Sequence, residues 1–505
     1  MVTMIMRRLY GALGYPTRRS SLEHTEVEHL GKMARRTWGV AKRAALVGSL
    51  GLVCTSAACS LDNLLKNDEL PPDISDPAIV HTPEGAVAAY YGTIDRFRGA
   101  FGGDPTTLGV VGFSGVLTDE LQSNGTAINS QHIADLRLLT EGEESREELN
   151  DPYGSLQRVR GQASQAIGLL TRYAADKKDL IGHTYTLVGY AEVFLAELYC
   201  SGIPLSTLDF DGDFTYHPGS TTEQVLEHAL AKFDSASALL TDSTRFVHLT
   251  QLGRARALLG LGRFQEAAAA VAGVPDQFRY DIEFSANMRS FLSTNPSALI
   301  WSYTMADRQG LNGLDFRSSG DPRTPTAFLG ISTVTGVAIY HPAKYAQDGS
   351  TPIVLASGLE ARLIEAEAAL REDRAEWLDI LNALRTDGNY TTTPNPNDAA
   401  QLDTLWHAGI GGVAGLAPLT DPGSFDARVD LLFRERAFWL FLTGQRQGDL
   451  RRLIRFYGRS QNQVYPIGGH AAIPGASFGT DTDIPVPMAE RVSNPKYTGC
   501  ISRGA

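Results

Sequence analysis

The residue types that usually carry catalysis are present in this chain, but their spacing matches no catalytic motif. The segment Gly112-Phe113-Ser114-Gly115 is not the G-x-S-x-G elbow that presents a nucleophilic serine. Glu365 and Glu367 could be read as the carboxylate pair of a glycosidase. Residues two apart on a helix point in different directions, however, so this pair cannot share a substrate. We therefore predict no catalytic residues.

Metal-binding patterns are equally weak. The 11 histidines form no HExxH motif or comparable zinc spacing. The run Asp209-Phe210-Asp211-Gly212-Asp213 could hold calcium, but Phe214 stands where a calcium loop needs its turn glycine. A solvated acidic loop explains this run better. We therefore predict neither a metal site nor a cofactor.

A dense block of charged residues lies near the C-terminal end. We assign it to one long helix from Ala427 to Tyr457 and interpret it as a structural ion-pair network rather than an active site. Its members are Arg434, Glu435, Arg436, Arg446, Asp449, Arg451 and Arg452.

Aromatic side chains are the remaining candidates for ligand binding. A sugar ring can stack its C–H face on an aromatic plane while nearby polar groups bind its hydroxyls. Four aromatic residues of a loop-rich segment are predicted as ligand contacts: Trp301, Tyr303, Tyr340 and Tyr345. Core packing is the alternative, and the strand-like alternation of Trp301 and Tyr303 favours burial of at least one of them.

The N-terminal region has the pattern of an export signal. Basic residues between positions 35 and 43 precede the apolar stretch Ala44 to Val53, which is too short to span a membrane. Ser56-Ala57-Ala58-Cys59 resembles a bacterial lipobox, so we predict lipidation of Cys59 and removal of residues 1–58. A plain exported protein with a fortuitous cysteine is the alternative. Met33 is the expected natural start.

Two cysteines follow the predicted cleavage point, Cys200 and Cys500. Export places them in an oxidising compartment, so we expect a disulfide that ties the C-terminal tail to a helix end near the middle of the chain. Two separate buried thiols are the alternative, because the sequence does not give their distance. Residues 59–80 are polar and contain prolines, which suits a lipidated tether.

The remaining residues, 81–505, are predicted to form one mainly α-helical domain. The pair of helices from His248 to Val274 has small residues at tetratricopeptide spacing and a glycine at its turn, and Gly358 to Thr386 repeats the arrangement. Between 276 and 352 the helical period gives way to glycines, prolines and short β-type runs. The predicted fold is a tetratricopeptide-like helical repeat array with long irregular loop insertions, and 276–352 is its main irregular excursion.

Composition limits the partners. The chain has 505 residues, 45 Lys plus Arg against 57 Asp plus Glu, and a net charge of −12. Residues 1–58 contain nine of the basic and three of the acidic residues, so the mature chain would carry −18. This acidity argues against nucleic acid as a partner, since phosphate binding needs a basic surface. With no apolar run of about 20 residues, membrane attachment is expected through the lipid anchor only.

Several short motifs occur in a fixed order along the mature chain. They are Asp321-Pro322-Arg323, Lys344-Tyr345, Ala366-Glu367-Ala368, Leu381 to Arg385, Arg434-Glu435-Arg436, Gly444 to Arg452, and Ile484-Pro485-Val486-Pro487 with Glu490 and Asn494-Pro495. In this order they resemble the SusD/RagB family, and the resemblance covers nearly all of the mature chain. The chain departs from the family near Ser357, where an arginine is frequent just ahead of the helix, and at Gln447 and Gly448, where a bulky aromatic residue is frequent.

The resemblance implies a role. Members of this family are lipoproteins of the bacterial outer membrane that face the cell exterior, are not enzymes, and bind oligosaccharide or peptide nutrients. Their partner is a SusC-type TonB-dependent transporter. Ligand contacts vary among members, so the resemblance assigns none here. Two other functions stay open on the sequence: an anchored helical-array glycosidase and a tetratricopeptide scaffold for protein assembly.

Overall fold

The structure is a computed structural model that describes residues 80–124, 133–139, 147–209, 212–293, 303–333, 335–386 and 416–505. Residues 1–79, which include Cys59, lie outside the described residues, and so does Trp301.

Helices dominate the described residues, which confirms the predicted mainly α fold. The helices are α1 Pro83–Gly102, α2 Gly109–Leu117, α3 Glu147–Tyr173, α4 Lys178–Leu198, α5 Thr222–Ser237, α6 Thr244–Gly260, α7 Phe264–Val271, α8 Gly358–Arg371, α9 Glu376–Thr386, α10 Phe425–Trp439, α11 Arg446–Tyr457, α12 Gln461–Val464 and α13 Met488–Ser493.

The helices from α3 to α9 form an array in which each helix packs against the next one along the chain, and α1 packs against α3. The predicted tetratricopeptide pairs are present as α6 with α7 and as α8 with α9. At the turn between α6 and α7, Gly262 has a φ of +74°, which glycine adopts without strain. Repeats that pack on their neighbours in this way bury a continuous core between them.

Small residues let three helices of this array approach closely around one ring. A Cβ added at Gly189 of α4 would lie 2.6 Å from Phe233 Cε1, and one added at Gly253 of α6 would lie 2.5 Å from the same atom. Phe233 is fully buried on α5. The two glycines therefore make the space that this phenylalanine fills.

Local capping signals set several helix starts. The Thr82 side chain accepts a hydrogen bond of 3.0 Å from Gly85 N at the start of α1. The sequence Ser220-Thr221-Thr222-Glu223 predicts a capping box at the start of α5, but the structure forms it one residue later, between Thr221 and Gln224. Ser220 lies instead in a short strand, so it is not available as the cap.

Strands in the described residues pair two by two, and every pair is antiparallel. The pairs are β1 Leu121–Ser123 with β7 Tyr303–Met305, β2 Ile203–Pro204 with β5 Gly219–Ser220, β3 Thr207–Leu208 with β4 Phe214–Thr215, β6 Arg279–Ile282 with β10 Ile353–Ser357, and β8 Thr326–Ile331 with β9 Ala338–Pro342.

The predicted single helix from Ala427 to Tyr457 is wrong, because the chain turns between α10 and α11. Leu442 and Gly444 both have positive φ, at +51° and +78°. The Leu442 amide donates a 2.8 Å hydrogen bond to Glu120 Oε1, which lies far away in the sequence. This tertiary contact holds the turn.

The C-terminal tail completes the end of α4. Cys200 and Cys500 are joined by a disulfide across 300 positions of sequence. The Arg451 side chain donates hydrogen bonds of 2.8, 3.0 and 3.0 Å to the carbonyls of Ala196, Glu197 and Tyr199. An arginine near the C-terminal end of the chain thus binds carbonyls at the end of α4, where a helix leaves its last carbonyls without intrahelical partners.

Candidate functional site

Two of the four predicted ligand contacts are core residues, which corrects the prediction for Tyr303 and Tyr345. Tyr303 is 1% exposed and pairs with Ser123 across β1 and β7. Tyr345 is 6% exposed, and its hydroxyl donates a 2.7 Å hydrogen bond to the carbonyl of Leu442. A ring buried in this way has no face open to a sugar.

Tyr340 lies at the surface of the excursion, on β9, and is half-buried. The Arg317 guanidinium carbon lies 3.9 Å from the centroid of its ring, and the Phe328 ring centroid lies 5.4 Å away. Phe328 itself is 59% exposed. The β8–β9 hairpin therefore presents an aromatic surface to solvent, and ligand binding by Tyr340 stays a prediction.

Part of the late charged block forms an ion-pair network, as the sequence predicts, but the network is buried and joins helices α8, α10 and α11 instead of lying on one helix. Arg436 donates hydrogen bonds of 2.9 and 2.8 Å to the two carboxylate oxygens of Asp449. Arg452 lies 2.9 Å from Asp449 Oδ1 and 2.8 Å from Glu367 Oε2. Burial alone would raise the pKa of Asp449, but Arg436 and Arg452 outweigh it and lower that pKa.

Residues of three of the short motifs described above, Asp321-Pro322-Arg323, Leu381 to Arg385 and Arg434-Glu435-Arg436, form a second network of ion pairs. Arg323 donates to Glu435 Oε2 at 2.6 Å and to Asp321 Oδ2 at 2.8 Å, and Arg385 donates to Glu435 Oε1 at 2.7 Å. Glu435 and Arg323 are buried. These carboxylates are engaged by arginines within the protein, so the motifs hold the scaffold together and do not form an open catalytic pair.

A groove of about 580 Å³ lies on the helical array, away from the excursion. Helices α1 and α3 and the β3–β4 hairpin line it, and Glu490 of α13 completes the lining. Its polar side chains are Arg96, Gln157, Arg158, Gln162, Gln165, Ser206 and Glu490. This groove cannot be predicted from the sequence, because its lining comes from separate segments between positions 80 and 214 and from Glu490, far away along the chain.

One signal in the sequence could have pointed to the groove. Arg158, Gln162 and Gln165 have the spacing i, i+4 and i+7, which places them on one face of α3. Phe214 of β4, which also lines the groove, is 53% exposed and packs edge to face against Tyr216, with 4.8 Å between ring centroids. The lining of the groove therefore includes amide and guanidinium groups and a partly exposed aromatic ring.

A smaller cavity of about 160 Å³ adjoins the groove, and Gly161, Ser206 and Leu208 line both. Buried Glu192 lies at this cavity and binds Arg160 Nε at 2.9 Å and His228 Nδ1 at 2.7 Å. Burial would raise the pKa of Glu192, but Arg160 and His228 together lower it. This carboxylate is held as a charged structural partner.

Within the described residues, no cluster of three or more His, Cys, Asp or Glu side chains could hold a metal ion. The same residues include no helix that is long and apolar enough to cross a membrane.

Comparison with solved structures decides the fold. A SusD superfamily protein from Bacteroides thetaiotaomicron matches with a TM-score of 0.58 at 15% identity, over 83% of this chain and 100% of that one. A SusD-like carbohydrate binding protein from Bacteroides vulgatus matches with a TM-score of 0.55 at 14% identity, over 82% of this chain and 97% of that one. The chain has the SusD-like fold. A SusD superfamily protein from Parabacteroides distasonis matches with a TM-score of 0.58 at 14% identity, over 82% of this chain and 98% of that one.

The SusD-like fold confirms the resemblance drawn from the short motifs, at the level of architecture. No protein-family model matches the sequence. No curated protein matches it either. At identities of 15% and below, these structures share the fold with this chain, but their surfaces do not transfer to it residue by residue.

Proposed function

We propose that the protein is a non-catalytic surface lipoprotein that binds an oligosaccharide or peptide nutrient and delivers it to a SusC-type TonB-dependent outer membrane transporter. One observation carries the proposal: the fold is shared, over more than four fifths of the chain, with SusD superfamily proteins, one of which is described as a SusD-like carbohydrate binding protein. That description favours carbohydrate as the ligand class.

The arrangement of carboxylates supports binding without turnover. Hydrolysis of a glycosidic bond needs two carboxyl groups about 5–10 Å apart in one cleft. The residues that line the large groove include one carboxylate, Glu490, which accepts hydrogen bonds of 3.1 Å from Tyr153 and 2.8 Å from Asn494. Incubation of candidate oligosaccharides with the purified protein should release no shorter products; turnover would favour the glycosidase alternative.

Anchoring and delivery rest on the sequence. Diacylation at Cys59 would give a stable membrane anchor, which a single acyl chain does not provide. We expect the wild-type protein to incorporate labelled fatty acid and to react with antibody on intact cells. The Cys59→Ala variant should do neither and should appear as a soluble protein.

The transporter partnership has its own test. Wild-type protein extracted in mild detergent should co-purify with a large β-barrel transporter. Recovery of the anchored protein without any such transporter would contradict the delivery step, while the binding step could still be measured on the Cys59→Ala protein. A scaffold for protein assembly would bind a partner protein but no oligosaccharide, so the two measurements together separate that alternative.

A further inference from the structure

The smaller cavity beside the groove has the size of a site for a small ion. Helices α3, α4 and α5 enclose it together with the segment around β3. Its volume of about 160 Å³ is well above the roughly 10–15 Å³ that one water molecule needs, and below the roughly 300 Å³ at which typical small-molecule pockets begin. The space therefore fits a group of a few heavy atoms.

Basic side chains outnumber acidic ones around this cavity. Among the described residues that line it, Arg160, His228 and Lys232 are basic, and Glu192 is the one carboxylate. Both oxygens of Glu192 are already engaged, by Arg160 at 2.9 Å and by His228 at 2.7 Å. These two partners also keep the pKa of Glu192 low in spite of its burial. The carboxylate is thus neutralised within the protein, and the Lys232 ammonium has no counter-charge in the lining.

Three donor groups at the cavity have no acceptor in the described part of the chain. Arg160 donates through Nε to Glu192 and through Nη1 to Gln157 Oε1 at 2.7 Å, which leaves its Nη2 unused. The Lys232 ammonium and the Tyr185 hydroxyl, which also line the cavity, form no hydrogen bond with a described residue. Free donors around an excess of positive charge are the groups that bind an oxyanion.

His228 adds a donor on the same side of the cavity. It lies four residues before Lys232 on α5, so the two side chains share one face of the helix. Because a carboxylate only accepts hydrogen bonds, His228 Nδ1 donates its hydrogen to Glu192. In the protonated ring Nε2 is a second donor, and the ring charge adds to that of Lys232. The His228 side chain is 36% exposed, so an ion from the solvent can reach it.

One buried carboxylate positions two of these donors before any ligand arrives. Glu192 of α4 binds Arg160 of α3 and His228 of α5, so its two hydrogen bonds connect three helices of the array. The Glu192 side chain is fully buried and that of Arg160 is 7% exposed. Donors that are fixed in this way lose little conformational entropy when a ligand binds.

From these observations we infer that the cavity between α3, α4 and α5 is a binding site for a small oxyanion: phosphate, sulfate or a carboxylate group. Lys232 and His228 would supply the charge, while Arg160 Nη2 and the Tyr185 hydroxyl would donate hydrogen bonds to the oxygens. A cation is disfavoured, because the carboxylate in the lining is already bound to two basic side chains. The inference is independent of the proposed function, since it is drawn from the charges and donors of this cavity alone.

The test titrates sodium phosphate, sodium sulfate and sodium acetate into the purified protein by isothermal titration calorimetry, at pH 7 and at an ionic strength held constant with sodium chloride. The site variants are Lys232→Gln, which removes the ammonium, and His228→Asn, which removes the ring charge but keeps a donor toward Glu192. The matched control is Lys178→Gln. Lys178 is an exposed lysine of α4 that does not line the cavity, so its replacement changes the net charge equally. Thermal unfolding verifies that each variant folds.

We expect at least one of the three anions to bind at one saturable site, Lys232→Gln to weaken this binding about tenfold, and His228→Asn to weaken it about fivefold. Lys178→Gln should bind as the unaltered protein does. Preference for phosphate or sulfate would support a tetrahedral ion as the occupant, and preference for acetate would support a carboxylate group.

Two results would overturn the inference. The first is equal binding by Lys232→Gln and Lys178→Gln, whether both are weakened or both are unchanged, because a built site must distinguish the two lysines. The second is the absence of saturable binding of all three anions up to about 10 mM. Either result would leave the proposed function standing, because that function rests on the fold and the predicted lipid anchor.

Discussion

Replacement of Asp449 by asparagine should destabilise the protein strongly, because it leaves one positive charge without a partner in a buried network. Asp449 is 2% exposed and lies against Arg436 and Arg452, and both arginines also pair with Glu367. Removal of one partner from a buried ion pair costs about 3–5 kcal/mol. We expect a loss of free energy of unfolding of that size.

The assay is guanidinium unfolding at pH 7, followed by circular dichroism. The matched control is Asp430→Asn, which removes an aspartate that is 70% exposed and lies 2.8 Å from Arg459. A surface pair of this kind contributes about 0–1 kcal/mol, so the control should unfold close to wild type. If Asp449→Asn lost no more than Asp430→Asn, the argument from burial would be refuted.

A second variant separates the charge from the packing. Combining Arg436→Met with Asp449→Leu removes both charges and leaves the Arg452–Glu367 pair, whose atoms lie 2.8 Å apart. Apolar residues of similar volume often replace a buried ion pair at little cost or with a gain. The double variant should therefore be more stable than Asp449→Asn. A double variant that is less stable than the single one would show that shape, and not charge, dominates at this site.

Three further changes have defined outcomes. Gly253→Ala should cost about 1–3 kcal/mol in thermal unfolding, because the new Cβ would lie 2.5 Å from Phe233 Cε1; a stability equal to wild type would contradict the packing argument. Burial lowers the pKa of His183 from 6.5 to about 3, so only the unfolded state gains this proton as pH falls through that range. The free energy of unfolding should therefore fall by up to about 1.4 kcal/mol for each unit that the pH is lowered. In guanidinium titrations between pH 7 and 4, the His183→Phe variant should lose less free energy of unfolding than the wild type does. Cys500→Ser should lower the free energy of unfolding by about 2–5 kcal/mol, because it removes the disulfide to Cys200. Reductant, which should destabilise the wild type, should then leave the stability of this variant unchanged.

Much of the scaffold could be predicted because its signals are local. The small residues of α6 and α7 have the spacing of a helix pair, and the pair predicted from Gly358 to Thr386 is present as α8 and α9. An ion-pair network could be predicted from the density of opposite charges in the late block, although its burial could not.

The rest depends on contacts that the sequence does not display. The turn between α10 and α11 is held by Glu120, and Tyr303 is buried by pairing with β1, both far away along the chain. The capping box moved by one residue because Ser220 joined a strand. The groove could not be predicted for the same reason, because Arg96, Phe214 and Glu490 are far apart in the sequence and come together only in the folded chain.

The contacts between Arg451 and the end of α4 also constrain the time at which the protein can fold. Ala196, Glu197 and Tyr199 leave the ribosome about 250 residues before the arginine that binds their carbonyls. The disulfide partner of Cys200 is made later still. The end of α4 therefore gains these hydrogen bonds and its disulfide only after nearly the whole chain has been made, and thus after the N-terminal export signal that the sequence predicts has left the ribosome.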